Sequence, residues 1–171
     1  AYSYKVDLSQ GYPLLTTKKM YFNSMLHELF WYLSGEEHIK ELKKKTKIWD
    51  AWADEEGRLE TAYGRFWRRY PVPEISLDGE VFVDENNRWT TREENGSLVF
   101  DQIQYIIDTL KEMKENPNHK NGRRLIVLAW NPGNASISKL PPCHYTFAFN
   151  VLRNKLNCHL TQRSGDIALG I

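Results

Sequence analysis

Residues 140–166 read LPPCHYTFAFNVLRNKLNCHLTQRSGD, and this stretch decides the fold. Tyr145, Phe147, Phe149 and Val151 alternate with His144, Thr146, Ala148 and Asn150, and Leu156, Cys158 and Leu160 alternate with Asn157, His159 and Thr161. A period of two is the mark of a strand, so the two runs predict a hairpin turning at Arg153, Asn154 and Lys155. The apolar faces must coincide, which fixes the parity of the register. Followed outward, that face carries Cys143 on the same side as Gln162, Ser164 and Asp166. A two-residue loop sets Cys143 opposite Ser164 or Asp166. Arg163 starts on the other face, and a bend at the strand end would bring it to the thiol. A cation beside a thiol lowers its pKa, and the thiolate is the reactive form. The set suits nucleophilic chemistry on an anionic substrate.

The plain alternative for Cys143 is a buried structural cysteine. The Pro-Pro before it and the polar cluster across from it weigh against that. Cys158 lies mid-strand on the apolar face and reads as core. Cys143-His144 and Cys158-His159 do not make a metal centre, because neighbours on a strand point to opposite faces. No metal is expected.

Upstream, Phe22, Met25, Leu26, Leu29, Phe30 and Leu33 keep helical spacing, with Gly35 as the stop. Trp31 lies off that stripe, so the helix reads as buried on more than one side. Val6–Leu15 reads as a strand and turn, and Glu36–Lys47 as a second, exposed helix whose Lys43, Lys44 and Lys45 form a solvated face. Residues 70–99, rich in Pro, Asn and Gly, read as an inserted excursion containing a hairpin. Phe100, Ile103, Ile107, Leu110 and Met113 predict a helix ending near Asn116-Pro117. Arg124–Trp130 is a β-prone strand. The expected fold is α+β, with a mixed sheet packed on helices in a single domain spanning 1–171.

At 171 residues, 41% hydrophobic and 26% charged, the chain is an ordinary globular sequence. Its net charge of +1 leaves any polyanion binding to local clusters. The first residues lack the apolar core of a signal peptide, and two cysteines make no disulfide framework. A cytoplasmic protein with reduced thiols and no membrane partner is expected.

Three further features carry chemistry. Arg123 and Arg124 follow a turn-like segment and can grip a phosphate, although paired surface arginines are the commoner case. Glu28 sits beside Trp31 on a helix that reads as buried, so its carboxylate must be paired or titrate abnormally. Trp49 and Trp52 can stack on a flat ring, or simply pack.

Together, Pro141-Pro-Cys-His144, Gln162-Arg-Ser-Gly-Asp166, Ala168-Leu-Gly170, Thr16-Thr-Lys18, His27-Glu-Leu29, Ile48-Trp-Asp50 and Ala62-Tyr-Gly64 resemble the folate-dependent, cysteine-using thymidylate synthases. The match runs in order over nearly the whole chain and is interrupted mainly at 70–99. The resemblance implies that Cys143 attacks C6 of dUMP and that C5 then takes a one-carbon unit from 5,10-methylenetetrahydrofolate. The folate next gives hydride and leaves as dihydrofolate. It implies that Arg163 and Ser164 hold the nucleotide phosphate, that Arg163 helps ionise the thiol, and that Arg123 and Arg124 reach across a homodimer to the partner's phosphate. Glu28 corresponds to a carboxylate that organises water and proton transfer, and Tyr63 to a tyrosine that removes the C5 proton. Asp166, Trp49, Ile48, Lys18 and Gly170 fall at folate positions, and Gln162 and His144 at supporting ones. The family's sheet packs against its mate in the dimer.

The sequence departs from the family at both ends. The segment that reads the pyrimidine and closes the site would follow Ile171, and an N-terminal arm would precede Tyr2. This chain alone is therefore expected to lack full activity. The rival within the superfamily is a dCMP or dUMP hydroxymethylase, which adds water where the synthase transfers hydride; Trp49 leans towards the synthase. A rival of another class is a non-catalytic nucleic-acid binder using Arg65, Arg68, Arg69, Arg123 and Arg124 with Trp67 and Tyr70. Incidental RNA binding, or a fragment that only dimerises, belongs to the same class.

Overall fold

The computed structural model describes residues 2–60, 62–72 and 91–165, with the backbone alone at 91–93. Helix α1 (Phe22–Ser34) forms where the spacing predicts and ends at Gly35, which adopts the left-handed conformation (φ 77°). Its buried residues are Trp31 and Tyr32, whereas Phe22, Leu29 and Phe30 are exposed. The expectation of a helix buried around its apolar stripe is therefore corrected. The large rings of Trp31 and Tyr32 are the ones that turn inward, onto Trp49, Tyr63 and Trp67.

The stretch 36–47 is not the expected helix. His38 bridges Arg58, Ile39 N–H donates to the Gly57 carbonyl (2.9 Å), and Leu59 N–H donates to the Glu37 carbonyl (2.9 Å). Only Leu42–Lys44 makes a 3-10 turn, and Ile39 and Leu42 are buried by it. Lys43, Lys44 and Lys45 are exposed as expected. Val6–Leu15 forms no strand either. Leu8–Gln10 is a 3-10 turn capped by Asp7, and the segment is exposed.

Helix α2 (Tyr63–Arg68) crosses α1 at Gly64. A Cβ there would lie 2.5 Å from the Tyr32 carbonyl oxygen and 3.1 Å from Gly35 Cα. Glycine permits this approach, which lays Tyr63 against Tyr32 with ring centroids 4.8 Å apart. Strands β1 (Tyr70–Pro71), β2 (Thr91–Glu94) and β3 (Ser97–Phe100) pair antiparallel in the order β1-β3-β2. The hairpin expected within 70–99 is β2–β3; residues 73–90 of that excursion lie outside the described residues.

Helix α3 (Gln102–Glu115) starts at Asp101, whose carboxylate accepts from Gln104 N–H (2.9 Å), and stops before Pro117 as expected. Its buried face is Gln102, Tyr105, Ile106 and Thr109, and Ile107 from the expected stripe is exposed. The Gln102 amide explains the rotation. It donates to the Phe66 and Leu128 carbonyls (2.7 and 2.8 Å) and accepts from Leu128 N–H (2.9 Å). A buried amide with three partners ties α3 to α2 and to the second sheet.

That sheet has the order β4 (Ile126–Leu128), β5 (His144–Leu152), β6 (Lys155–Gln162), all antiparallel. The short helix α4 (Pro132–Ala135) lies on the β4–β5 connection. Phe147 faces Val127 and Leu160, Phe149 faces Cys158, and Val151 faces Leu156, so the apolar faces coincide. The turn is the two residues Arg153 and Asn154, both left-handed (φ 51° and 58°), the geometry that two-residue hairpins require. Core side chains from α1, α2, α3 and this sheet meet around Tyr63, Trp67, Leu125 and Val127. The α+β class holds, and both sheets are antiparallel among the described residues.

Candidate active site

The register of β5 and β6 slips at their open end. Thr146 pairs with Thr161 but His144 pairs with Gln162, so Tyr145 is an extra residue on β5. This bulge overturns the expected pairing of Cys143 with Ser164 or Asp166. Arg163 N–H instead donates to the Cys143 carbonyl (2.8 Å). The bend that the sequence left to the strand end is this bulge, and it puts Arg163 directly across from Cys143.

The Arg163 side chain then secures the approach to the cysteine. Its Nε donates to the Pro142 carbonyl (3.0 Å), one terminal nitrogen donates to the Pro141 carbonyl, and the other reaches Ser164 Oγ (3.0 Å). The guanidinium also lies 5.8 Å from the Trp130 ring centroid, within cation–π range. The planar donor fork thus ties down the two proline carbonyls that precede the thiol. Ser164 is exposed and left-handed (φ 57°), and Gln162 is exposed. Asp166 and Gly170 lie outside the described residues.

Behind Cys143 stands an aromatic and carboxylate cluster. Cys143 N–H donates to the Tyr63 hydroxyl oxygen (2.6 Å). Burial, opposed by hydrogen bonds from the Cys143 and His144 backbone and reinforced by the Cys143 thiol, pushes the Tyr63 phenol up to about 12. Tyr63 is therefore a neutral phenol at neutral pH. His144 stacks on its ring, 4.0 Å between centroids and 7° from parallel. Burial pulls the His144 imidazole down to about 4, so it too is neutral. The Glu28 Oε1 accepts two hydrogen bonds, from the Tyr32 hydroxyl and the Trp49 indole N–H, each 2.7 Å. Cys143, Tyr63, His144, Glu28 and Trp49, five of the residues singled out in the sequence, are thus brought together.

Others are not. Arg123 and Arg124 end the 3-10 turn Lys120–Arg123 beside β4 and are exposed. Because Ile126 pairs with Ala148, they sit towards the hairpin turn, about seven strand residues or roughly 20 Å from Cys143. Lys18 is exposed in the segment before α1. Ile48 is exposed beside Trp49. Cys158 is also exposed, yet partial desolvation by its neighbours raises its thiol pKa, which disfavours the thiolate.

Sequence reasoning missed Tyr32. It stands four residues after Glu28 on one helix face, a spacing that could have flagged the pair. Among the described residues no group of His, Cys, Asp or Glu side chains is placed to hold a metal ion. No helix among them is long and apolar enough to cross a membrane.

The fold and site define an α+β protein that sets one half-buried thiol against a neutral phenol, a neutral imidazole and a clamped carboxylate. A family profile described as thymidylate synthase matches residues 1–171, and the chain belongs to the thymidylate synthase family. It is 60% identical over 171 residues to the thymidylate synthase of Haloferax volcanii, an alignment covering 98% of this chain and 47% of that protein. The chain thus spans about half the length of this curated relative.

Proposed function

We propose that this chain supplies the nucleophile of an enzyme that converts dUMP to dTMP with 5,10-methylenetetrahydrofolate. Family membership together with the Cys143–Tyr63 hydrogen bond carries the reading. The Cys143 thiolate adds to C6 of the pyrimidine, and the electron pair released to C5 attacks the one-carbon unit. The C5 proton is then removed as the bond from the one-carbon unit to the folate nitrogen breaks, hydride from the freed tetrahydrofolate completes the methyl group and leaves dihydrofolate, and the thiolate is expelled from C6. Tyr63, as a neutral phenol against the cysteine backbone, suits a proton relay better than a standing base. Glu28 organises proton transfer at the pyrimidine, and Arg163 and Ser164 receive the nucleotide phosphate, with Gln162 and His144 in support. Trp49 and Ile48 wall the folate, with Lys18, Asp166 and Gly170 as further folate contacts. A cytoplasmic enzyme is the corresponding location.

The remote arginines support a second element of this reading. Arg123 and Arg124 are about 20 Å from their own Cys143, so they serve a homodimer partner's phosphate, with the β4–β5–β6 face that carries Ile126 and Leu128 as the contact surface. Mixing inactive Cys143→Ser and Arg123→Glu/Arg124→Glu subunits should restore about a quarter of wild-type activity. That is half the dimers, each with one intact site. No restoration would place the arginines in their own subunit's site.

The activity itself is tested by following dihydrofolate with methylenetetrahydrofolate and either dUMP or dCMP, in full-length protein carrying this sequence. Dihydrofolate with dUMP is expected. A modified nucleotide without dihydrofolate would make the enzyme a hydroxymethylase.

A further inference from the structure

Tyr32 is the most buried hydroxyl-bearing side chain on α1, at 5% exposure. A phenol at that depth loses hydration and must find a partner inside the protein. Its partner is not backbone but the Glu28 Oε1, at 2.7 Å, and the Trp49 indole N–H reaches the same oxygen at the same distance. The two donors come from different elements, one a helical turn away on α1 and the other from the loop that follows it. Two donors converging on one oxygen fix both the torsion and the tilt of the carboxylate. Among the described residues Oε2 has no hydrogen-bond partner. Tyr32 itself is held by rings on four sides, with centroids of Trp31, Tyr63, Trp67 and His144 between 4.8 and 5.9 Å away. Burial and the neighbouring carboxylate raise its pKa well above the ordinary tyrosine value, so the hydroxyl stays a donor throughout the working range of pH.

We propose that Tyr32 is a positioning residue for catalysis: with Trp49 it occupies Oε1 of Glu28 and leaves Oε2 as the acceptor that works on the bound pyrimidine. The inference rests on the proposed synthase reading and adds a residue to it. Two neutral donors on one oxygen hold the carboxylate in place, so loss of one should be read in the geometry of Glu28. The titratable groups facing this pair are few. His27 precedes Glu28 on α1, Tyr63 lies on α2, and Cys143 and His144 stand beyond it at the start of β5.

Tyr32→Phe in the full-length enzyme is the test, because it keeps the ring and all its contacts and removes only the hydroxyl. The kcat for dTMP formation should fall about tenfold, the value of one hydrogen bond to a charged group, with KM for dUMP little changed. A fall in kcat at unchanged KM is a readout that a purely structural role would not give, since loosened packing would move both. Unchanged kcat would overturn the inference, as would a rise in KM alone. A separate measurement keeps the two readings apart. The side-chain carboxyl carbon of Glu28, observed by NMR at neutral pH in the wild type and in Tyr32→Phe, should change its chemical shift on loss of the hydrogen bond to Oε1, even where no dihydrofolate forms with either nucleotide. Identical shifts would sink the role of Tyr32 whatever the reaction.

Discussion

The two ends of the β4–β5–β6 sheet are built on opposite principles. At the open end a bulge at Tyr145 sets Arg163 across from Cys143, and Tyr63, His144, Glu28 and Trp49 close in behind, each with a defined partner. At the hairpin end the strands run regularly, Val151, Leu152 and Leu156 are exposed, and Arg123 and Arg124 face solvent. One cysteine stands at the open end and the other in the middle of β6. Cys143 is half-buried with its backbone N–H and carbonyl both engaged by site residues, and Cys158 is exposed in a regular ladder. The difference separates tasks. One end is a cluster of side chains bonded to one another, and the other is an open surface facing solvent.

The largest expected effect discriminates the two cysteines. Cys143→Ser in full-length protein should lower kcat by at least about 10⁴-fold, since loss of a nucleophile removes the covalent route. Cys158→Ser should stay within about threefold of wild type, because that exposed thiol lies in a regular ladder away from the cluster. Comparable losses in both would erase the contrast between the ends.

Next comes acid. The His144 imidazole is held at about 4 in the fold against 6.5 in the unfolded chain. The unfolded state therefore binds a proton that the native state refuses, and stability falls as pH drops from 6.5 towards 4, by about 3 kcal/mol in total. Urea unfolding at pH 7 and pH 4.5 should show this loss, and His144→Gln should flatten it. Parallel pH dependence in wild type and variant would mean that the imidazole at the bulged end is not buried in its neutral form.

Gly64→Ala attacks the bulged end from behind. The new methyl would press on the Tyr32 carbonyl and force α1 and α2 apart, at a cost of about 2–3 kcal/mol. It should also lower kcat by displacing Tyr63. The smallest effect belongs to the hairpin end. Asn154 is left-handed there (φ 58°), and Asn154→Gly should stabilise by up to about 0.5–1 kcal/mol without altering kcat. A change in kcat would show that the two ends are coupled.

Much of this contrast was legible in the sequence. Alternation from 144 to 161 yields the hairpin and its parity, and the 3–4 spacing from Phe22 to Leu33 yields α1. Long-range backbone pairing was not legible. The bonds of Glu37 and Ile39 to Leu59 and Gly57 replace a locally plausible helix. The bulge at Tyr145 adds one residue that no alternation pattern reveals, and it exchanges Ser164 for Arg163 opposite Cys143. Polar anchoring was equally hidden. Gln102 is buried because its amide meets the Phe66 and Leu128 backbone, so α3 turns a face that its apolar residues did not indicate. Of the residues named for chemistry, Cys143, Tyr63, His144, Glu28 and Trp49 meet at the bulged end. Arg123, Arg124 and Lys18 do not join that cluster; they are exposed, the arginines beside β4 and the lysine before α1.

The most direct test of the central claim is the intact mass of full-length protein incubated with methylenetetrahydrofolate and dUMP fluorinated at C5. Fluorine cannot leave as a cation, so the reaction should halt with nucleotide and folate both attached. Peptide mapping should find the nucleotide on Cys143 and none on Cys158. Attachment at Cys158, or no adduct at either cysteine, would contradict the assignment of Cys143 as the nucleophile.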